Sequence, residues 1–131
     1  MSYEQTTNDI SVRVTPEFMD ADSDPSQGRF LWAYTVEIAN GSPNAVQIMR
    51  RYWKIVDAAG QMQEVHGEGV IGKQPVIEPG STFCYTSGTP LLTPSGIMGG
   101  TYEVRDDNGI VYKIAIPLFS LDSPHDRAKV N

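Results

Sequence analysis

Residues 100–117, GTYEVRDDNGIVYKIAIP, contain two runs of alternating apolar and polar residues, separated by the turn-forming residues 107–109. Alternation with a period of two, interrupted by Asp, Asn and Gly, predicts two β-strands joined as a hairpin. A two-residue loop would place Val104 opposite Lys113 and mix polar with apolar side chains on each face. A three-residue loop places Val104 opposite Tyr112 and keeps the apolar residues on one face. The segment therefore predicts an antiparallel hairpin with a three-residue loop, whose final glycine has a positive φ.

The same alternation recurs along the chain and predicts an all-β fold. It is clearest in three runs: ISVRVT (10–15), RFLWAYTVEIAN (29–40) and STFCYTS (81–87). A fold of two stacked sheets needs large side chains from both inner faces, so we interpret the following aromatic residues as core: Trp32, Tyr34, Tyr52, Trp53, Tyr102 and Tyr112. The hydroxyl of Tyr102 is expected to bond the backbone at a corner of the sheet.

Length and charge limit the classes of function. A chain of 131 residues predicts one domain. Its net charge of −6 disfavours nucleic-acid binding, because an acidic surface repels phosphates. Cys84 is the single cysteine and cannot form an internal disulfide. Without a signal peptide or a long apolar run, we expect a cytoplasmic protein with no membrane insertion. The polar ends, residues 1–9 and 122–131, are expected to be flexible and to flank a domain spanning 10–121.

The segment 42–60, SPNAVQIMRRYWKIVDAAG, allows two interpretations. Its local pattern favours a helix, which Ser42 would cap and Gly60 would end. As a strand it alternates imperfectly, because Val46 and Trp53 lie on opposite parities. A β-bulge near Arg50–Arg51 would reconcile the two halves, since one extra residue shifts the parity.

Six segments together resemble the ApaG family of small bacterial proteins. They run in order from about Ile10 to Leu121: VRVTPEF, SDPSQGRFLWAYTVEIAN, RYWKIVDAAG, EVHGEGVIGKQPVIEPG, YTSGTPLLTPSGIMGGTYEV and IAIPLFSL. The resemblance implies an antiparallel β-sandwich of the fibronectin type III or immunoglobulin-like kind. In that fold the segment 42–60 contains a strand, and DAAG is a hairpin turn. The resemblance also implies protein binding as a role, together with a link to cobalt resistance and magnesium efflux.

A glycine-rich loop, HGEGVIGKQP (66–75), is the candidate anion-binding site. Gly67, Gly69 and Gly72 have the spacing G-x-G-x-x-G and precede Lys73. A dinucleotide-binding loop opens a helix whose N-terminus faces the pyrophosphate, and the prolines that follow here argue against a helix. We therefore favour a structural role for these glycines, in bends and close backbone approach. Binding of pyrophosphate or a dinucleotide polyphosphate is the alternative.

Other motifs are weaker. The sequence DADSDPSQG (20–28) opens like a calcium loop but has proline at the sixth position and leucine at the twelfth. His66, Cys84 and His125 do not have the spacing of zinc ligands. We predict no catalytic residue, no specific metal site and no cofactor. A divalent-metal sensor at Asp20–Asp24 remains a third hypothesis.

The function predicted from these observations is a non-enzymatic module that binds a protein partner. Arg50 and Arg51 are candidate contacts because they are adjacent cations in an acidic chain. Leu91 and Leu92 are candidates because the segment GTPLLTPSGIMGG (88–100) is interpreted as a long loop rich in apolar residues. Such residues either pack under the end of the sandwich or form an apolar docking patch.

Overall fold

The computed structural model describes residues 1–125, which form a sandwich of two antiparallel sheets. One sheet has the strand order β1-β2-β3-β7, and the other has the order β5-β4-β8-β9, with β6 pairing beside β4. No α-helix occurs in this part of the chain. The strands are β1 (Tyr3–Thr7), β2 (Ile10–Phe18), β3 (Phe30–Asn40), β4 (Val46–Asp57), β5 (Met62–Glu68), β6 (Val76–Ile77), β7 (Thr82–Leu91), β8 (Ser95–Asp106) and β9 (Val111–Asp122).

Without β1 and β6, the sheets have the orders β2-β3-β7 and β5-β4-β8-β9, which is the arrangement of a fibronectin type III domain. The predicted fold class is confirmed. Alternate residues of both sheets fill the space between them, as the period of two requires. In the four-stranded sheet these inward side chains are at most 6% exposed: Ile10, Val12, Val14, Phe30, Trp32, Tyr34, Val36, Ile38 and Tyr85.

The hairpin of β8 and β9 has the predicted register. Val104 lies opposite Tyr112, and Tyr102 lies opposite Ile114. Gly109 has a φ of 81°, and its N–H donates to the Asp106 carbonyl at 3.0 Å. Matching of apolar faces across the two strands was therefore sufficient to select the three-residue loop.

The segment 42–60 contains strand β4, so the helical interpretation of its local pattern is wrong. Met49 is an extra residue between Ile48, which pairs with Val104, and Arg50, which pairs with Glu103. This bulge lies one residue before the predicted position. It shifts the parity, so that both halves of β4 turn their apolar residues toward the core. Tertiary pairing decides the outcome, because β4 lies between β5 and β8 and gains ladder hydrogen bonds on both sides.

Residues 3–7 and residue 122, which were expected to be flexible, belong to strands. Residues 3–7 form β1, which pairs with β2 along its whole length, so the expectation of flexibility for residues 1–9 is corrected. Strand β9 continues to Asp122, and the N–H of Ser123 donates to the Pro94 carbonyl at 3.0 Å. The polar side chains of residues 1–9 suggested flexibility, but β1 is an edge strand whose backbone pairs with β2. The rest of the expected tail, residues 126–131, lies outside the described part.

The segment 88–100 does not form a long loop, so the interpretation of this segment from its sequence is wrong. Strand β7 extends to Leu91, and β8 begins at Ser95, so only a short turn crosses between the sheets. Gly and Pro residues suggested a loop, but Gly88 and Pro90 lie in β7 at the edge of its sheet, where Pro is tolerated.

Candidate functional site

Arg50 and Arg51 point to opposite faces of β4, although both border one cavity on the outer side of the sheet. Arg50 is exposed on the outer face of the five-stranded sheet. Arg51 shares the parity of Trp53, lies opposite Tyr102 and Gly67, and is only partly exposed. Adjacent residues of a strand point to opposite faces, so the two cations have separate roles.

The side chain of Arg51 covers the glycine loop. Its Nη1 donates to the carbonyl oxygens of Glu68 at 3.1 Å and Gly69 at 3.2 Å. A methyl group on Gly67 would collide with this guanidinium group. Gly67 therefore allows close approach of a side chain, and Arg51 supports the loop that follows β5.

The glycine loop folds back on the bulge of β4. The N–H of Gly69 donates to the Met49 carbonyl at 2.9 Å, and Val70 and Lys73 exchange backbone hydrogen bonds at 2.8 and 2.9 Å. The two residues between them, Ile71 and Gly72, have φ values of 43° and 76°, as in a tight two-residue turn. No helix follows Gly72, and three of the N–H groups that a phosphate would need already have backbone acceptors.

Three buried tyrosines occupy the core beside Arg51. The hydroxyls of Tyr85 and Tyr102 are hydrogen-bonded to each other, so Tyr102 does not bond the backbone as expected. Burial raises the pKa of the hydroxyls of Tyr34, Tyr85 and Tyr102. These groups are neutral at physiological pH and contribute to the core rather than to acid–base chemistry.

The three phenols predict how stability depends on pH. Their pKa values in the folded state lie above the ordinary value of 10.0, so the stability they contribute is fully present below pH 10.0. It is lost as the pH rises further, because the unfolded chain releases the protons first. We expect the free energy of unfolding to fall above about pH 10. Ultraviolet titration should show these phenols ionising together with unfolding. Ionisation of all six tyrosines with the fold intact would contradict the prediction.

The outer face of the five-stranded sheet carries a groove, which we name the outer trough. Its apolar end is a cavity of about 460 Å³ lined by Val56, Ile97, Gly99 and Leu118. Leu118 is 67% exposed and Ile97 is 43% exposed. These side chains lie on the face opposite the core, where a strand ordinarily carries polar residues.

The charged end of the outer trough is a cavity of about 260 Å³ lined by Arg50, Arg51, His66, Glu103 and Lys113. Both cavities are also lined by Tyr52 and Thr101, so the two ends are continuous. Within residues 1–125, neither Arg50 nor Lys113 has a carboxylate within 4.0 Å.

Tyr52 lies in the middle of the outer trough and not in the core, which corrects its predicted position. Its hydroxyl donates to the Glu64 carboxylate at 2.8 Å, and this bond raises the pKa of Tyr52. Its ring packs against His66 with centroids 4.9 Å apart. The bulge at Met49 explains the error, because it assigns the inner face to Arg51 and Trp53.

The other predicted site residues are dispersed. Leu91 is 4% exposed and belongs to the core, so it is not available as a contact residue, whereas Leu92 is 70% exposed in the turn before β8. Asp20 and Asp24 belong to two successive short turns, and Asp24 accepts a hydrogen bond from Ser26 at 2.7 Å. In the described residues, no three His, Cys, Asp or Glu side chains are placed to share a metal ion.

Comparison with known proteins identifies the family. The ApaG domain model matches residues 20–106. This chain belongs to the ApaG family. Protein ApaG of Paramagnetospirillum magneticum is 55% identical over 129 residues, which cover 98% of this chain and 99% of that protein. Protein ApaG of Beijerinckia indica is 53% identical over the same number of residues, with the same coverage of both chains.

A crystal structure supports the ApaG fold independently. The ApaA protein from Bordetella pertussis is similar with a TM-score of 0.87 and 46% identity, over 89% of this chain and 95% of that chain. The residues that match the ApaG domain model include the glycine loop and most of the outer trough, but not Lys113 and Leu118.

Sequence reasoning found Arg50, and it found Ile97 as an apolar residue of the candidate segment 88–100, but it missed Lys113 and Leu118. Leu118 was hidden because it belongs to a strand, and Lys113 was interpreted only as a hairpin residue. A large apolar residue at an outward-facing position would have indicated this surface. Which residues of β8 and β9 face outward can be assigned only when the bulge near Gly99, which sets their register, is known. No helix among residues 1–125 is long and apolar enough to span a membrane.

Proposed function

We propose that this chain is a non-enzymatic module that binds a protein partner in the outer trough. The observation that carries the proposal is the exposure of large apolar side chains, Ile97 and Leu118, on one continuous surface with Arg50 and Lys113, which have no ion pair among residues 1–125. Exposed apolar surface rimmed by polar groups is typical of protein contact sites. In this proposal, the link to cobalt resistance and magnesium efflux acts through the partner.

Site-specific photocrosslinking tests the proposal. A benzophenone amino acid at position 118 lies in the outer trough, whereas one at Thr86 lies exposed on the opposite face of the sandwich. We expect a discrete protein adduct in cells from position 118 and none from position 86. Unlabelled wild-type protein should compete for this adduct, and an unlabelled Leu118→Asp variant should not.

Adducts of equal yield from both positions would contradict the proposal, because they would report collision rather than docking. An adduct from position 92 alone would move the contact to the turn before β8. Substitutions at these exposed positions are expected to change the free energy of unfolding by less than about 0.5 kcal/mol. Urea denaturation of each variant checks this.

The small-anion alternative places pyrophosphate or a dinucleotide polyphosphate at Gly67–Lys73. It is weaker, because the N–H groups of Gly69, Val70 and Lys73 have backbone acceptors. Titration with pyrophosphate, followed by amide NMR shifts, distinguishes the two. Saturable shifts confined to residues 67–73 would favour the alternative over the outer trough.

A further inference from the structure

We propose that the outer trough selects an extended peptide segment with a large apolar side chain at one end and a carboxylate about six residues away. This inference rests on the proposed function and adds the chemistry of the partner. Three observations carry it: the separation of the two ends, the charge of the surface, and the shape of the apolar end.

The separation of the two ends sets the length of the segment. At the apolar end, Ile97 on β8 pairs with Val56, and at the charged end, Glu103 on β8 pairs with Arg50. Ile97 and Glu103 are six residues apart along β8. At about 3.3 Å per strand residue, the distance is about 20 Å, so an extended segment needs about six residues to reach both.

The charge of the surface selects an acidic group. Among residues 1–125, the outer face of this sheet carries the cations Arg50, Lys54, Arg105 and Lys113 and the carboxylates Glu64, Glu68 and Glu103. The positive excess is at the charged end, which is lined by Arg50, Arg51 and Lys113 against Glu103. The chain as a whole has a net charge of −6, so the rest of its surface repels an acidic ligand. By contrast, Arg13 on the other sheet lies 3.7 Å from Glu4 and 3.9 Å from Glu37. Electrostatic complementarity of this local kind orients a partner.

Glu103 lies between Arg50 and Lys113 across three neighbouring strands. It occupies the position where a ligand carboxylate would bind, without an ion pair of 4.0 Å or less among the described residues. It therefore competes weakly with the ligand. Removing its charge should strengthen binding, an effect that a residue with only a structural role would not produce.

The apolar end accepts one large side chain. Leu118 and Ile97 line it, and the side chain of Leu118 packs over Gly99, where an added methyl group would lie 3.1 Å from its Cδ1 atom. An extended segment can lie along β8 with an apolar side chain against Leu118 and Ile97.

Selection from a phage library of random 12-residue peptides on the full-length protein tests the inference. We expect enriched peptides to carry a large apolar residue and an Asp or Glu about six positions apart. Enrichment should be lost on Leu118→Asp. Peptides without an acidic residue, peptides enriched equally on the variant, or no enrichment would each overturn the inference. A discrete adduct from position 118 alongside any of these results would leave the proposed function standing.

Affinity measurements with the most enriched peptide give a sharper readout. We expect about tenfold weaker binding for Arg50→Gln and the same loss when the acidic residue of the peptide becomes an amide. The two changes together should cost no more than one alone, because they remove the same contact. Glu103→Gln should bind more tightly than wild type. Additive losses, or unchanged binding by Glu103→Gln, would contradict the assigned contact.

Discussion

The Trp53→Ala variant is expected to lose about 3–5 kcal/mol of unfolding free energy, a large part of what a domain of this size possesses. Trp53 is 3% exposed and joins the two sheets. Its ring lies 5.1 Å from that of Tyr34 in the opposite sheet, and 6.4 and 6.2 Å from those of Tyr102 and Phe119 in its own. Truncation removes these contacts and leaves a cavity that the surrounding strands cannot close.

Urea denaturation monitored by circular dichroism measures this loss. The matched control is Leu118→Ala, which truncates an exposed apolar side chain of the same sheet and is expected to change stability by less than about 0.5 kcal/mol. A loss below about 1 kcal/mol for Trp53→Ala would mean that the indole does not hold the sheets together.

The Gly69→Ala variant is expected to lose about 2–5 kcal/mol in total. Gly69 has a φ of 61°, which costs an L-residue about 1–2 kcal/mol. In addition, the new methyl group would overlap the carbonyl oxygen of Lys73, which accepts the hydrogen bond of Val70. The loop would have to open, and Val70 would lose its buried position.

Gly72→Ala is the control that separates these two causes. Gly72 has a φ of 76°, but no atom lies within 4 Å of the added methyl group. It should therefore lose only the conformational term of about 1–2 kcal/mol. Equal losses for the two variants would show that the overlap at Gly69 is relieved without cost. The comparison also tests the structural role of the glycine spacing, because a phosphate-binding role would not predict this order of stabilities.

Local patterns predicted most of the strands because each signal acts within a few residues. In β3, five large apolar residues occupy alternate positions from Phe30 to Ile38, and all five are buried, whereas the residues between them are partly exposed. The hairpin at Gly109 was equally predictable from the sequence, because its register depends only on two neighbouring runs of residues. The structure of segment 46–57 was less predictable from local sequence. Its bulge at Met49 is held by Gly69, 20 positions along the chain, and no local pattern contains that contact.

The candidate site was less predictable than the fold, because a surface is defined by what several strands present together. Arg50 and Arg51 are adjacent in sequence, yet Arg50 is exposed on the outer face of the sheet, whereas Arg51 supports the glycine loop. Leu91 and Leu92 are similarly divided between core and surface. Arg50 and Arg51 are adjacent in one strand and point to opposite faces, whereas Leu91 ends β7 and Leu92 lies in the turn after it.

The sequence by itself determined the hairpin of β8 and β9 and which faces of β2, β3 and β7 are buried, because a period of two is a local property. For segment 42–60, the sequence offered a helix and a bulged strand, and only the tertiary structure decided between them and placed the bulge at Met49. It also decided that the glycines accommodate Arg51 and a tight turn, and that Lys113 and Leu118 share a surface with Arg50. These features depend on pairing between β4, β8 and β9, which are far apart along the chain. Pairing at that distance is set by the packing of the whole sandwich.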